Sequence, residues 1–342
     1  AAEAGQWFAP VGGDGRLYVP DMVGDDLGLV AYGPAEGETL DRIDLGLSAL
    51  TSQPLVADGT VYAVESDAES GSSTLRALDA GDGTEEWSVE APAARPGLPG
   101  LAVADGAVWT VARGNPPGFV AYETADGSER IRIPFVDLPR SITSGRAVPA
   151  PLAPPTVASG SLYAAGGFGS YAQRDLSMLV AADADGDERW RYRPPGTDQL
   201  NPAEIVLGPD ASEEQAREIR DEFGLEDGYT TLYGYPVVVD GLAIVPGIGE
   251  TGGDGPDGLF AVDAETGEEE WAVPVDEGGF APVAAGETIY LSTSSGVDVV
   301  STDGTHRGRV DLGDSASSFV SSPALGEGRL FVRTREGIVA LG

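Results

Sequence analysis

Short apolar runs broken by Asp-Gly recur from one end of the chain to the other. Proline opens such a run in PVGGDG (10–15), PLVADG (54–59), PTVASG (155–160), PVVVDG (236–241) and PALGEG (323–328), and LAVADG (101–106) and PVAAGE (282–287) are variants. Each is followed by a strand-like stretch such as VYAV, VWTV or IYLS. Asp-Gly between alternating apolar runs predicts a tight hairpin, and proline at the first residue of a strand forfeits no ladder hydrogen bond.

A second pattern follows each hairpin: AVDAETGEEEW (261–271), LRALDAGDGTEEW (75–87) and LVAADADGDERW (179–190), with weaker copies at 29–40, 119–131 and 297–308. In the three strong copies a tryptophan stands four residues after the turn glycine, pairing Gly83 with Trp87, Gly186 with Trp190 and Gly267 with Trp271. One unit therefore reads strand, Asp-Gly turn, strand, loop, strand, acidic turn, strand. That is a four-stranded antiparallel meander of about 40 to 45 residues, the size of a propeller blade. The expected fold is all-β, a seven-bladed β-propeller forming a single domain over residues 1–342, with eight blades as the alternative.

Two spacings between turn glycines are long. The first holds the proline-rich stretch 133–155, read as an extended loop. The second holds residues 194–232, where Ser212 and Gln215 form a capping box, Ala216, Ile219 and Phe223 share one face, and Gly224 supplies the stop. This predicts a helical insertion between two blades. After Gly304 the chain reaches Gly342 before another acidic turn, so the seventh blade lacks an outer strand of its own, and Ala1 to Trp7 is the candidate to complete it.

Composition narrows the function classes. Asp and Glu number 56 against 20 basic residues, all of them arginine, for a formal net charge of −36. Such a surface repels nucleic acid and anionic lipid headgroups. The pattern resembles that of salt-accumulating halophiles, where molar salt shortens the screening length to roughly 3 Å. The fold is accordingly expected to loosen below molar salt, a property that thermal melting across a salt series measures. With no cysteine there is no disulfide, thiolate metal site or thiol nucleophile. No apolar run reaches the ~18 residues of a membrane span. The start, AAEAGQWFAP, resembles the mature end left by an export signal and equally fits any other boundary.

With these residues laid out, the repeat resembles the pyrroloquinoline-quinone-type propeller repeat, in a haloarchaeal version. Ala261, Asp263, Thr266, Gly267 and Trp271 match its Ala-x-Asp-x-x-Thr-Gly turn and tryptophan in full, and Ala77, Asp79, Gly83 and Trp87 match without the threonine. The resemblance implies that Trp87, Trp190 and Trp271 dock one blade on the next. It leaves function open, because the family holds quinone-dependent dehydrogenases and also non-catalytic scaffolds.

A dehydrogenase of the family would be expected to show an axial stacking tryptophan, a calcium held by carboxylate and amide side chains, an aspartate base and often paired cysteines. This chain has no cysteine and only two asparagines, Asn115 and Asn201, so no quinone cofactor is expected. Calcium candidates are the loops 249–258, with Asp254 and Asp257, and 21–26; the acidic turn 183–188 is a weaker one. His306 reads as a solvated turn residue. Arg189, Arg191 and Arg193 share one strand face, either paired with surplus carboxylates or forming an anion or acidic-peptide site. The function expected is a monomeric, extracytoplasmic, non-catalytic propeller that binds a protein or peptide. The alternatives are a quinone- and calcium-dependent sugar or alcohol dehydrogenase, and a small-molecule or glycan sensor with the inserted loops as lid.

Overall fold

The computed structural model describes residues 10–13, 15–23, 26–33, 39–47, 53–66, 72–91, 101–112, 118–134, 149–151, 155–168, 178–192, 231–232, 235–248, 258–275, 281–293, 296–312, 322–326, 328–334 and 337–342. They build seven antiparallel sheets. Blade 1 runs Val11–Gly13, Arg16–Val23, Asp26–Tyr32 and Thr39–Leu47. Blade 2 runs Leu55–Ala57, Thr60–Ser66, Ser73–Asp79 and Glu85–Ala91. Blade 3 runs Ala102–Ala104, Ala107–Ala112, Gly118–Glu123 and Glu129–Pro134.

In blade 4 the inner position is shared by Pro149–Pro151 and Thr156–Ala158, followed by Ser161–Phe168, Met178–Asp183 and Glu188–Tyr192. Blade 5 repeats that arrangement with Thr231–Leu232 and Val237–Val239, then Leu242–Ile248, Gly258–Asp263 and Glu269–Pro274. Blade 6 runs Val283–Ala285, Thr288–Thr293, Gly296–Ser301 and His306–Val310. Among the described residues blade 7 has three strands, Ala324–Gly326, Arg329–Thr334 and Gly337–Leu341.

The seven-bladed reading holds and the eight-bladed alternative does not. No helix occurs among the described residues. The helix expected over 212–224 lies outside them, as does Ala1 to Trp7; the last two residues of the expected insertion, Thr231 and Leu232, are strand and pair with Ile248 and Gly247.

Each inner strand touches the inner strands of both neighbours, and contact between the first and seventh closes the ring around the propeller axis. Closure is tight at Gly12, where a Cβ would stand 2.6 Å from the carbonyl oxygen of Leu325. Asp58–Gly59, Asp105–Gly106, Ser159–Gly160 and Asp240–Gly241 all have positive φ at both residues, the type I′ geometry that suits a right-twisted hairpin.

Strand direction sorts the connections into two ends. The inner hairpin turns and acidic turns of blades 2 to 6 lie at one end, here the turn end, and in blades 2, 3 and 5 they are bonded together: Ala80 N donates to Gly59 O, Thr124 N to Gly106 O and Ala264 N to Gly241 O. Connections from second to third strand, and from each blade to the next, lie at the other end, here the loop end. The core is a series of apolar layers between blades. Tyr163, Leu179, Trp190, Val245 and Phe260, for example, join blades 4 and 5, while Ile244, Leu259, Val273, Leu291 and Val300 join blades 5 and 6.

Candidate functional site

The chemistry-bearing residues singled out by the repeat lie in the acidic turns and the outer strands beside them. Asp79 Oδ1 accepts the amides of Gly81 and Asp82 at 2.7 and 3.0 Å. Asp183 takes those of Asp185 and Asp187, and Asp263 those of Glu265 and Thr266. A side chain that bonds its own next turn replaces a backbone bond and fixes the turn locally. In blades 2, 3 and 6 a later aspartate of the turn repeats the device: Asp82 accepts from Thr84, Asp126 from Ser128 and Asp303 from Thr305.

These bonds favour the ionised carboxylates. The Thr84 amide holds Asp82 below the usual carboxylate range, and the Thr266 amide does the same for Asp263. The hydroxyl of Ser128 lowers Asp126, and that of Ser301 lowers Asp303. Among the described residues no group of three or more Asp, Glu or His side chains could hold a metal ion. In the turn 183–188, Asp183 gives an oxygen to two backbone amides. Asp254 and Asp257 lie outside the described residues, as does most of the loop 21–26 beyond its strand backbone.

The tryptophans sit where the bulge next to each acidic turn aims them. Register slips between Ala77 and Leu78, Ala181 and Ala182, and Ala261 and Val262, and across the ladder Trp87 faces Ala77, Trp190 faces Ala181 and Trp271 faces Ala261. Each of these alanines is fully buried, and the small side chain leaves room for the indole. The ring then reaches the next blade. Trp87 Nε1 donates to Thr124 O at 2.8 Å, Trp190 Nε1 to Ala264 O at 3.1 Å and Trp271 Nε1 to Thr302 O at 2.9 Å.

Under each ring lies the next blade's turn glycine. A Cβ would stand 2.6 Å from the Trp87 ring at Gly127, 2.6 Å from the Trp190 ring at Gly267 and 2.8 Å from Trp271 at Gly304. The glycine is thus required twice, by its left-handed φ and by the indole of the preceding blade. Gly83 and Gly186 meet non-aromatic partners instead, the Asp44 carbonyl and Ile133.

On the outer strand of blade 4, Arg189 donates to Ser161 Oγ at 2.7 Å and Arg191 pairs with Glu188 at 2.8 Å; Arg193 lies outside the described residues. The opposite face buries Trp190 and Tyr192. The Tyr192 hydroxyl donates to the Glu269 carboxylate of blade 5, and burial pushes its phenol up. In blade 3, Arg130 pairs with Glu123 at 2.6 Å and also donates to the carbonyls of Asp105 and Gly106, tying outer strand to inner turn.

Blade 6 departs from this scheme. His306, expected as a solvated turn residue, is the first residue of the outer strand, and its Nε2 lies 2.8 Å from Oδ1 of Asp298. Asp298 is fully buried and also accepts from Arg309 Nε and Nη2, each at 3.0 Å. No local pattern points to this cluster, because its three members come together only when the third and outer strands pair. Beyond it, a cleft of about 520 Å³ lies between blades 6 and 7, lined among others by Tyr290, Val310, Leu325, Leu330 and Leu341.

The protein family described as outer membrane protein assembly factor BamB matches residues 2–199, more than half of the chain. The chain belongs to this family. No curated protein matches it.

Among solved structures, BamB from Moraxella catarrhalis superposes with a TM-score of 0.55 at 15% identity, covering 98% of this chain and 81% of that one. A quinohemoprotein alcohol dehydrogenase from Pseudomonas putida HK5 gives 0.51 at 16% identity, covering 94% and 69%. Kuenenia stuttgartiensis hydrazine synthase gives 0.62 at 11% identity, covering 100% and 96%. At these identities the likeness is one of fold, shared by scaffolds and enzymes alike.

The quinone cofactor of the family's dehydrogenases stacks on an axial tryptophan, and the described residues do not supply one. Trp87, Trp190 and Trp271 are on outer strands with their N–H groups given to the next blade, and Trp109 is buried within the second strand of blade 3.

Proposed function

We propose that this BamB-family propeller is a non-catalytic scaffold that binds a protein or peptide partner through the connections at its loop end, outside the cytoplasm of a salt-accumulating archaeon. The family match carries the reading. Geometry supports it, since the repeat's aspartates and indoles are engaged in holding turns and blades and do not converge on a reacting centre. The two ends differ in the same sense. At the turn end the connections are short, repeated and bonded to one another. At the loop end the repeat is interrupted, above all between Tyr192 and Thr231 and between Ile248 and Gly258. Binding residues are disproportionately found on such connections over a rigid frame. In this reading the protein is a monomer, and it carries neither quinone nor a functional calcium.

Affinity capture from the native host in high salt, followed by cross-link mapping, tests the proposal. A partner cross-linked to loop-end connections is expected, and deleting residues 194–230 is expected to abolish capture while the melting transition persists. Reconstitution with quinone and calcium is expected to leave melting unchanged and to produce no dye reduction. Turnover of an alcohol or sugar in that assay, with no partner recovered, overturns it.

A further inference from the structure

The outer strand of blade 6, His306–Val310, has no buried side chain, whereas the fourth strands of blades 1 to 5 each have at least one. Where blades 2, 4 and 5 place an indole, it places Gly308, opposite Val299. A strand without a buried face has little to fix its register, because a slip of one residue costs it no burial. The ladder is interrupted further by the bulge between Val299 and Val300 and by the positive φ of Gly308.

At the next ladder position Asp298 faces Arg309. The corresponding pairs are Phe260 with Ala272 in blade 5 and Val180 with Arg191 in blade 4, so a carboxylate occupies an apolar site on the face turned toward blade 5. Both of its oxygens are engaged: Oδ1 by His306 and Arg309, Oδ2 by Arg309. Slipping the outer strand by one residue turns Arg309 to the opposite face and strands a fully buried charge. Such a penalty is steep and depends on register, unlike the graded loss from shifting an exposed strand.

We infer that Asp298 is a register pin: through Arg309 and His306 it fixes the pairing of blade 6's outer strand, in place of the docked indole of blades 2, 4 and 5. Buried polar groups are known to set register in this way at some stability cost. The pinned strand is also an edge, and an edge free to slip is a template for pairing with another chain.

Hydrogen exchange resolved to residues 306–310, with 269–274 of blade 5 as internal reference, tests the assignment. Asp298→Leu restores the apolar residue type that Val30, Val120, Val180 and Phe260 give this position in blades 1, 3, 4 and 5. It is expected to hold or raise the melting temperature while exchange at 306–310 becomes at least tenfold faster and the reference stays unchanged. Asp298→Asn, which keeps the shape and removes the charge, is expected to accelerate the same segment, and it decides the matter should the leucine variant not fold. Wild-type protection at 306–310 in the folded leucine variant shows that packing alone sets the register, and wild-type protection in the asparagine variant shows that charge is not needed; either result overturns the assignment.

Discussion

Blade 5 and blade 6 carry the same four-strand meander and hold their outer strands by different means. In blade 5, Trp271 crosses to blade 6, covers Gly304 and donates to Thr302 O. In blade 6, Gly308 stands at that position, and the outer strand is tied back into its own sheet through Arg309, His306 and the buried Asp298. An indole interface is large and apolar, so it supplies stability between blades and is little affected by salt. A buried ion pair yields less net stability and more geometric discrimination. The repeat can therefore lose its tryptophan at one blade without losing the outer strand, provided something else specifies the pairing.

The sharpest way to break the blade 5 mode is at Trp190, the most buried of the three docking rings. Trp190→Ala is expected to cost about 3–5 kcal/mol, read from denaturant melts. A smaller loss is expected from beneath the ring. Gly267→Ala meets both a positive φ and the Trp190 ring at 2.6 Å, whereas Gly241→Ala has φ 75° and open space. About 2–3 kcal/mol is expected for the first and about 1 kcal/mol for the second, so their difference isolates the indole contact.

Smaller still is a charge at the position of Asp298 that is not buried. In blade 2 that position is Arg76, paired with Glu65 at 3.1 Å and Glu85 at 2.6 Å and about a quarter exposed. Solvent screens these pairs, and Arg76→Met is expected to cost only about 0.5–1 kcal/mol in a thermal melt.

The acidic turns give the finest test, since their bonds act locally. Asp82, Asp126, Asp263 and Asp303 are held below the usual carboxylate range by hydrogen bonds that the unfolded chain lacks. Their contribution is fully present above the unfolded value of about 3.9 and is lost as pH falls through the lower folded values. Amide resonances of Thr84, Ser128, Thr266 and Thr305 should therefore titrate at lower pH than those of solvated aspartates; titration at the ordinary carboxylate value would show the bonds to be absent in solution.

Much of the fold was legible because its determinants are local. Asp-Gly with flanking alternation specifies a hairpin wherever it stands, and the four-residue step from Gly267 to Trp271 is visible without any partner. What the indole covers was not legible: Gly127, Gly267 and Gly304 read as turn residues, and only the ring of blades shows that each lies under another blade's tryptophan. Asp298 was missed for a related reason. A single Asp among valines in GVDVVS gives no sign of its partners, and His306 and Arg309 reach it only once the third and outer strands are in register.

The amino-acid order alone thus determined the all-β class and the repeat length, with seven blades expected and eight left open, because turn chemistry and apolar period act over a few residues. Tertiary structure decided which blade contacts which, why the turn glycines cannot be replaced, and how a buried carboxylate is held in blade 6. Those outcomes depend on burial and on distances between residues far apart in sequence, which exist only after the ring has closed.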